Sequence, residues 1–229
     1  MLKPKKKISK REIKEDKLVT TYFEAQTFFE ANRKRLGTAM TILVVIIAAG
    51  WIYFNNRAEN NLSATTDLGK VMRLYDDGRY ELAINGSPQE NIRGLKQIVS
   101  DYGGTPSGEM AKLFLGNCYF ALDQYDNALS VYEDASIGDK DLQASVYAGI
   151  AACHGAKNNP QEAARYYEKA LSTDAASLHA PEYLYRAASS YVAAGNKEKA
   201  ANLLDRLKKE FPQSAFARDA DRLSAQVRS

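Results

Sequence analysis

The sequence has 229 residues, 45% of them hydrophobic, with 31 Lys and Arg against 28 Asp and Glu. That length accommodates one soluble domain of ordinary size plus an appendage. The net charge of +3 is unevenly divided, because residues 1–35 carry 11 basic and 5 acidic side chains and the remainder 20 and 23; nothing beyond the first segment predicts binding to nucleic acid.

Residues 1–17 alternate Lys, Glu and Asp with few apolar side chains, which predicts a mobile tip or a loosely helical surface segment. Leu18, Val19, Tyr22, Phe23, Gln26 and Phe29 then follow an i, i+3, i+4 pattern and place an aromatic-rich stripe on one helix face. Such a helix lies along the cytoplasmic leaflet or simply extends the helix that follows it. From Leu36 to Phe54 run 19 residues without a charge. As a helix these cover roughly 28 Å, close to the hydrocarbon thickness of a bilayer. The reading is a cytoplasmic basic and amphipathic segment over 1–35 and a transmembrane helix over 36–54.

Orientation follows from the flanks. Arg33, Lys34 and Arg35 abut the span on one side, with Lys3, Lys5, Lys6, Lys7, Lys10 and Arg11 further out, whereas Arg57 alone follows closely on the other. The N-terminus is therefore expected in the cytoplasm and the rest of the chain outside it. Trp51 and Tyr53 sit where amphipathic rings favour the headgroup layer. A cleaved signal peptide is the rival reading, but its charged region would run to about 35 residues and no small-x-small exit precedes the polar sequence.

Residues 55–102 are expected to hold a linker helix ending near Gly78 and a degenerate first helical hairpin over 66–102. The second helix of that hairpin is split by a turn around Asn85 to Pro88 and resumes over Gly94 to Tyr102. Residues 103–212 are regular. Ala128, Tyr132 and Ala135 recur as Ala163, Tyr167 and Ala170 and again as Ala200, Leu204 and Leu207, at steps of 35 and 37. A period of that length predicts helical hairpins that bury their apolar faces only by stacking. They are placed at 107–136, 141–173 and 177–210. Asn158, Asn159 and Pro160 turn the third hairpin of the chain, and Gly195 and Asn196 turn the fourth. Residues 213–229 form a capping helix with Phe216, Ala220, Leu223 and Val227 on one face. The fold class is thus all-α: one N-terminal transmembrane helix, then a solenoid of about four hairpins with a C-terminal cap.

Side chains for catalysis are not grouped. His154 falls at a repeat core position and His179 in a loop, neither at metal-ligand spacing. Cys118 and Cys153 occupy equivalent positions of successive repeats and are expected as packed thiols, being roughly 10 Å apart and beyond the reach of a disulfide. The acidic pairs Asp76 and Asp77, Glu133 and Asp134, and Asp139 and Asp141 are read as turn or cap residues. Gly103, Gly104 and Gly108 are read as a linker between hairpins. No cofactor, metal or enzyme activity is expected.

The hairpins resemble tetratricopeptide repeats. Leu115, Gly116, Tyr119, Tyr125, Ala128, Tyr132 and Ala135 match the pattern of that family, and Gly116 is expected to face Ala128 where two helices cross. The third hairpin keeps Tyr147, Ile150, Ala151, Ala163, Tyr167 and Ala170 with His154 in place of the usual Tyr, and the fourth keeps Ala188, Tyr191, Gly195, Ala200 and Pro212. The layout of a lysine-rich start, the run LVTTYFEAQTFFEANRKR, one span and then repeats resembles the YfgM-like group of membrane-anchored envelope proteins. That resemblance implies a bacterial inner-membrane protein with periplasmic repeats, associated with the Sec translocon and periplasmic chaperones. The ending FPQSAFARDADRL also resembles repeat proteins of outer-membrane assembly and of the Tol-Pal system.

The family register implies a concave groove that binds a protein partner. It is lined by Met110, Leu113, Asn117 and Phe120, by Ala148 and Ala152, and by Glu182, Tyr185, Ser189 and Val192. Asn117 and Arg186 fit the cluster with which some relatives hold a C-terminal carboxylate, but Leu113, Gly149 and Glu182 occupy its other places. The sequence therefore reads as a membrane-anchored adaptor beside the export machinery. The alternatives are a scaffold subunit of envelope assembly and a non-catalytic subunit of a membrane enzyme.

Overall fold

The structure is a computed structural model that describes residues 10–228; the expectation for residues 1–9, including Lys3 and Lys5 to Lys7, lies outside the described residues. The chain divides into two compact units, one up to Asn56 and one from Arg57. Helix α1 spans Lys10–Asp76. In the first unit its large apolar side chains from Tyr22 to Phe54 are exposed apart from the half-buried Leu36, and this is the one helix of the described residues long and apolar enough to cross a membrane. The hydroxyls of Thr38 and Thr41 donate back to the carbonyls of Lys34 and Gly37, at 3.0 and 2.9 Å. That bond satisfies a polar group which hydrocarbon would leave unpaired.

The second unit begins with the end of α1, where Ala64, Leu68, Val71 and Leu74 are buried at helical spacing. Arg57 donates to the carbonyl of Gly104 at 2.7 Å, and Asn61 Oδ1 accepts from the Ser107 amide at 2.8 Å. Nine further helices follow among the described residues: α2 (Tyr80–Asn85), α3 (Leu95–Tyr102), α4 (Pro106–Ala121), α5 (Tyr125–Glu133), α6 (Lys140–Ala156), α7 (Pro160–Thr173), α8 (Ala180–Ala193), α9 (Lys197–Glu210) and α10 (Ala215–Arg228). Consecutive helices pack on one another, which is the contact pattern of a solenoid.

One turn geometry repeats four times and sets the hairpins. Gly78, Asp123, Asn158 and Gly195 each take positive φ, at 69°, 57°, 58° and 77°. In each case the following amide reaches back to a carbonyl five residues earlier: Arg79 to Leu74, Gln124 to Tyr119, Asn159 to His154 and Asn196 to Tyr191. This is the Schellman closure, which satisfies carbonyls that a helix end leaves orphaned. The turns at 123, 158 and 195 are 35 and 37 residues apart, whereas 78 and 123 are separated by 45. The extra length is an insertion between α2 and α3: strand β1 (Gly86–Ser87), a 3-10 turn (Pro88–Glu90) and strand β2 (Ile92–Arg93), antiparallel with Gly86 opposite Arg93. The solenoid is all-helical as expected, and this two-stranded ribbon is a local detail of the insertion. Gly86 sits at φ 89°, and a Cβ there would lie 2.7 Å from the Gly94 amide nitrogen, so the ribbon closes only on glycine.

The apolar faces meet in two clusters. One gathers the end of α1 with α2 to α6, around Val71, Leu74, Leu95, Ile98, Cys118, Tyr132 and Ile150. The other gathers α6 to α10, around Tyr167, Leu184, Tyr191, Leu204, Leu207 and Leu223. The last helix buries Ala217, Ala220 and Leu223, and Lys208 on α9 ties it down through Asp221 at 2.7 Å and Ser224 at 3.0 Å. A capped end of this kind is what an open stack of repeats requires.

Candidate functional site

Helix α4 starts because Pro106 follows Thr105, whose hydroxyl accepts from the Gly108 amide at 3.1 Å. Its first turns carry a buried ion pair: Lys112 Nζ lies 2.9 Å from Glu109 Oε1 and 2.7 Å from Asp134 Oδ2, and also donates to the Asp134 carbonyl. Glu109 in turn accepts from the amides of Gly104 at 3.1 Å and Ser136 at 2.7 Å. Burial pulls the Lys112 ammonium down, but the Asp134 and Glu109 partners outweigh it and leave it raised. This pair fastens the linkers on either side of the second hairpin, and the sequence reading missed it. Its one signal was a Glu and a Lys three residues apart in the opening turns of a helix.

At Gly116, expected to face Ala128, the nearest side-chain atoms belong to Tyr132. A Cβ at Gly116 would lie 2.6 Å from Tyr132 Cδ1, and one at Gly149 would lie 2.6 Å from Tyr132 Cζ. The ring of Tyr132 on α5 thus occupies the space that glycines on α4 and α6 leave open. Its hydroxyl donates to Asn117 Oδ1 at 2.6 Å, and Asn117 Nδ2 donates to the Tyr75 hydroxyl at 3.2 Å. Burial pushes the Tyr132 phenol up, and pushes the neighbouring thiols of Cys118 and Cys153 up to about 12 and about 11. Both cysteines are free and buried. His154 stacks on Tyr166 with ring centroids 5.4 Å apart and an angle of 19°. Its Nδ1 is buried without a partner among the described residues.

An open depression of about 420 Å³ is built from α4, α6, α7, α8 and α10. Phe120 walls one side, its ring 5.4 Å from that of Tyr125. Tyr185 and Phe216 wall the other, with ring centroids 5.8 Å apart. Ala151, Ala152, Gly155 and Ala156 of α6 form the floor, and Ala163, Tyr167, Arg186, Ser189 and Ser190 complete the lining. Arg186 Nε donates to Glu182 Oε1 at 2.6 Å. Burial draws the Arg186 guanidinium down, and the Glu182 and Tyr167 contacts reverse that and leave it raised.

Of the groove residues expected from sequence, Phe120, Ala152, Tyr185 and Ser189 come together around this depression. Leu113 does not: it is 5% exposed within the first core cluster, because the α4 face it occupies is covered by neighbouring helices. Met110 is half-buried against the same cluster, and Ala148 and Val192 against the second. Asn117 spends both ends of its amide on tyrosines, and Glu182 holds Arg186. Reasoning from sequence placed Phe216 only on the inner face of the cap and Tyr167 only in the repeat pattern. The Glu182 to Arg186 spacing of four on a helix was legible as an ion pair. Among the described residues no three His, Cys, Asp or Glu side chains converge as a metal site.

Residues 108–176 and 182–214 each match a tetratricopeptide repeat model, and the chain carries tetratricopeptide repeats over these stretches. A solved structure from Podosopora anserina, described as a kinesin light chain with nearly identical TPR-like repeats, is similar with TM-score 0.52 and 16% identity, over 73% of this chain and 94% of that one. A single-substitution variant of it gives TM-score 0.56 and 16% identity, over 73% and 85%. At such identity the likeness shows the fold alone, an all-helical repeat solenoid. No curated protein sequence matches the chain. Repeats of this kind are interaction scaffolds that bind protein partners, and nothing here shows catalytic activity.

Proposed function

We propose that this chain is a membrane-anchored adaptor of the bacterial inner membrane. In this reading α1 crosses the bilayer with its N-terminus in the cytoplasm and contacts lipid, while the repeats stand in the periplasm and dock a protein partner. The observation that carries the reading is the open depression, where Phe120, Tyr185 and Phe216 present aromatic surface above a floor of small residues. A few apolar anchors of that kind account for most of the energy of a typical interface. The uncharged run from Leu36 to Phe54 and the basic cluster before it support the anchor and its direction. The resemblance to the YfgM-like layout supports a place beside the Sec translocon and periplasmic chaperones. The test is a photo-crosslinking residue at Ser189 of the full chain in intact cells. Adducts with a translocon subunit or a periplasmic chaperone are expected; their absence, with adducts formed only from the span, overturns the reading.

A further inference from the structure

The depression has one charge in it. Among the described residues that line it, Arg186 is the sole ionised side chain, and no carboxylate faces in. Glu182, one turn earlier on α8, takes the Arg186 Nε at 2.6 Å and sets the guanidinium's direction without lining the depression itself. The Tyr167 hydroxyl is a second neighbour of Arg186. A guanidinium carries five donors, and this one is held in place with its side chain 52% exposed. A fixed cation amid Phe120, Tyr185, Phe216 and alanines is complementary to one anionic group within an otherwise apolar ligand.

The floor defines the shape of that ligand. Ala151 and Gly155, and Ala152 and Ala156, are pairs four apart on α6, and small residues at that spacing let another backbone come close. The walls are helices, whose backbone groups are bonded within their own turns, so they offer no strand edge. An extended segment pressed onto such a floor would bury its amides and carbonyls unpaired, whereas a helix satisfies its own. We infer that the depression takes an amphipathic α-helix of the partner protein that carries one carboxylate on its apolar face, opposite Arg186. The inference rests on the reading of this depression as the partner site.

The probe is a synthetic helix of about 18 residues, long enough to hold helical structure. It has an Ala and Leu face, an uncharged polar face, and a single Glu at the centre of the apolar face. Two counterparts replace that Glu by Gln or place prolines that force an extended chain. Binding is measured to the full chain in lipid nanodiscs. The Glu helix is expected to bind about fivefold to tenfold tighter than the Gln helix, as a charge-assisted hydrogen bond adds to apolar contact. That preference is expected to vanish in Arg186→Gln and to survive in Arg186→Lys, with both variants keeping the helical circular dichroism of the parent. Equal binding of the Glu and Gln helices, a preference that persists in Arg186→Gln, tighter binding of the proline counterpart, or no binding of any peptide overturns the inference. Adducts at Ser189 in cells alongside any of those outcomes would sink this inference alone, and loss of the adducts would remove the partner site with it.

Discussion

Tyr132 donates its phenolic hydrogen to Asn117 Oδ1 at 2.6 Å, and the ring behind that hydroxyl is seated between Gly116 and Gly149. One residue of α5 thereby joins α4 to α6, the second hairpin to the third. The hydrogen bond fixes how far the ring enters, and the two glycines make room for it. Asn117 passes the connection on to Tyr75 at the end of α1, so the same chain reaches the first hairpin.

Adding a methyl at either glycine is expected to disturb this joint. Gly116→Ala or Gly149→Ala should destabilise the protein by about 1–3 kcal/mol, the usual cost of overpacking a closed interior. Gly138→Ala, where an added Cβ meets nothing within 4 Å, is the control and should be near neutral. Denaturant midpoints of the full chain in detergent measure the difference. Equal midpoints for Gly116→Ala and the control would show that the ring moves aside freely.

The ion pair of Glu109 and Lys112 gives the second prediction. Their side chains are 11% and 9% exposed, so Lys112→Met leaves Glu109 buried without its cation. Loss of one partner of a buried pair costs about 3–5 kcal/mol, and the double variant Glu109→Gln with Lys112→Met should recover part of it. The measurement is a double-mutant cycle of unfolding free energies. If the double variant is no more stable than Lys112→Met, the pair is not the unit inferred here.

Alkaline pH should unfold the protein through its buried thiols. Cys118 and Cys153 are held up at about 12 and about 11 when folded, against about 8.5 for an unfolded thiol. The unfolded chain therefore loses these protons first. Their contribution is fully present below about pH 8.5 and is lost as pH rises through the folded values. Lys112, raised in the fold, acts in the same direction above its ordinary range. Stability measured from pH 8 to 11 should fall, and less steeply in Cys118→Ala with Cys153→Ala. In the native protein at pH 8 both thiols should resist alkylation, because the thiolate is the reactive form.

Much of this fold was legible because repeats write the same instruction several times. Asn158 and Gly195 marked turns that the structure closes with left-handed residues, and Gly78 marked one in the degenerate hairpin. Asp123 does the same in the second hairpin and went unread, since an aspartate signals many kinds of turn. The site was harder. Leu113 and Phe120 lie seven apart on α4, two turns along nearly one face, yet Leu113 is covered and Phe120 opens onto the depression. Periodicity assigns a face to a residue, but the neighbouring hairpins decide which part of that face stays open. The small ribbon at Gly86–Ser87 and Ile92–Arg93 was hidden for another reason: two-residue strands carry no period to read.

Membrane orientation is tested by the proposal's own asymmetry. With 11 basic residues before the span, an epitope placed after Ser229 should be cut by protease added to spheroplasts and protected in inverted vesicles. The opposite pattern would put the repeats in the cytoplasm and end the periplasmic reading.

The contrast between Leu113 and Phe120 separates core from groove. Leu113→Asp buries a charge inside the first apolar cluster, where Leu113 is 5% exposed, and the helical signal should melt well below that of the parent. Phe120→Asp puts the same charge at the edge of an open depression, where water reaches it; because the half-buried ring also packs on Tyr125 and the first cluster, the thermal midpoint should fall by much less than in Leu113→Asp and the circular dichroism of the folded protein should be kept. Crosslinking from Ser189 should then be lost in a folded protein, because the aromatic wall facing Tyr185 and Phe216 has become polar. Tyr185→Asp should behave as Phe120→Asp does. Unfolding by Phe120→Asp would assign that ring to the core, and undiminished crosslinking in a folded Phe120→Asp protein would move the partner away from the depression.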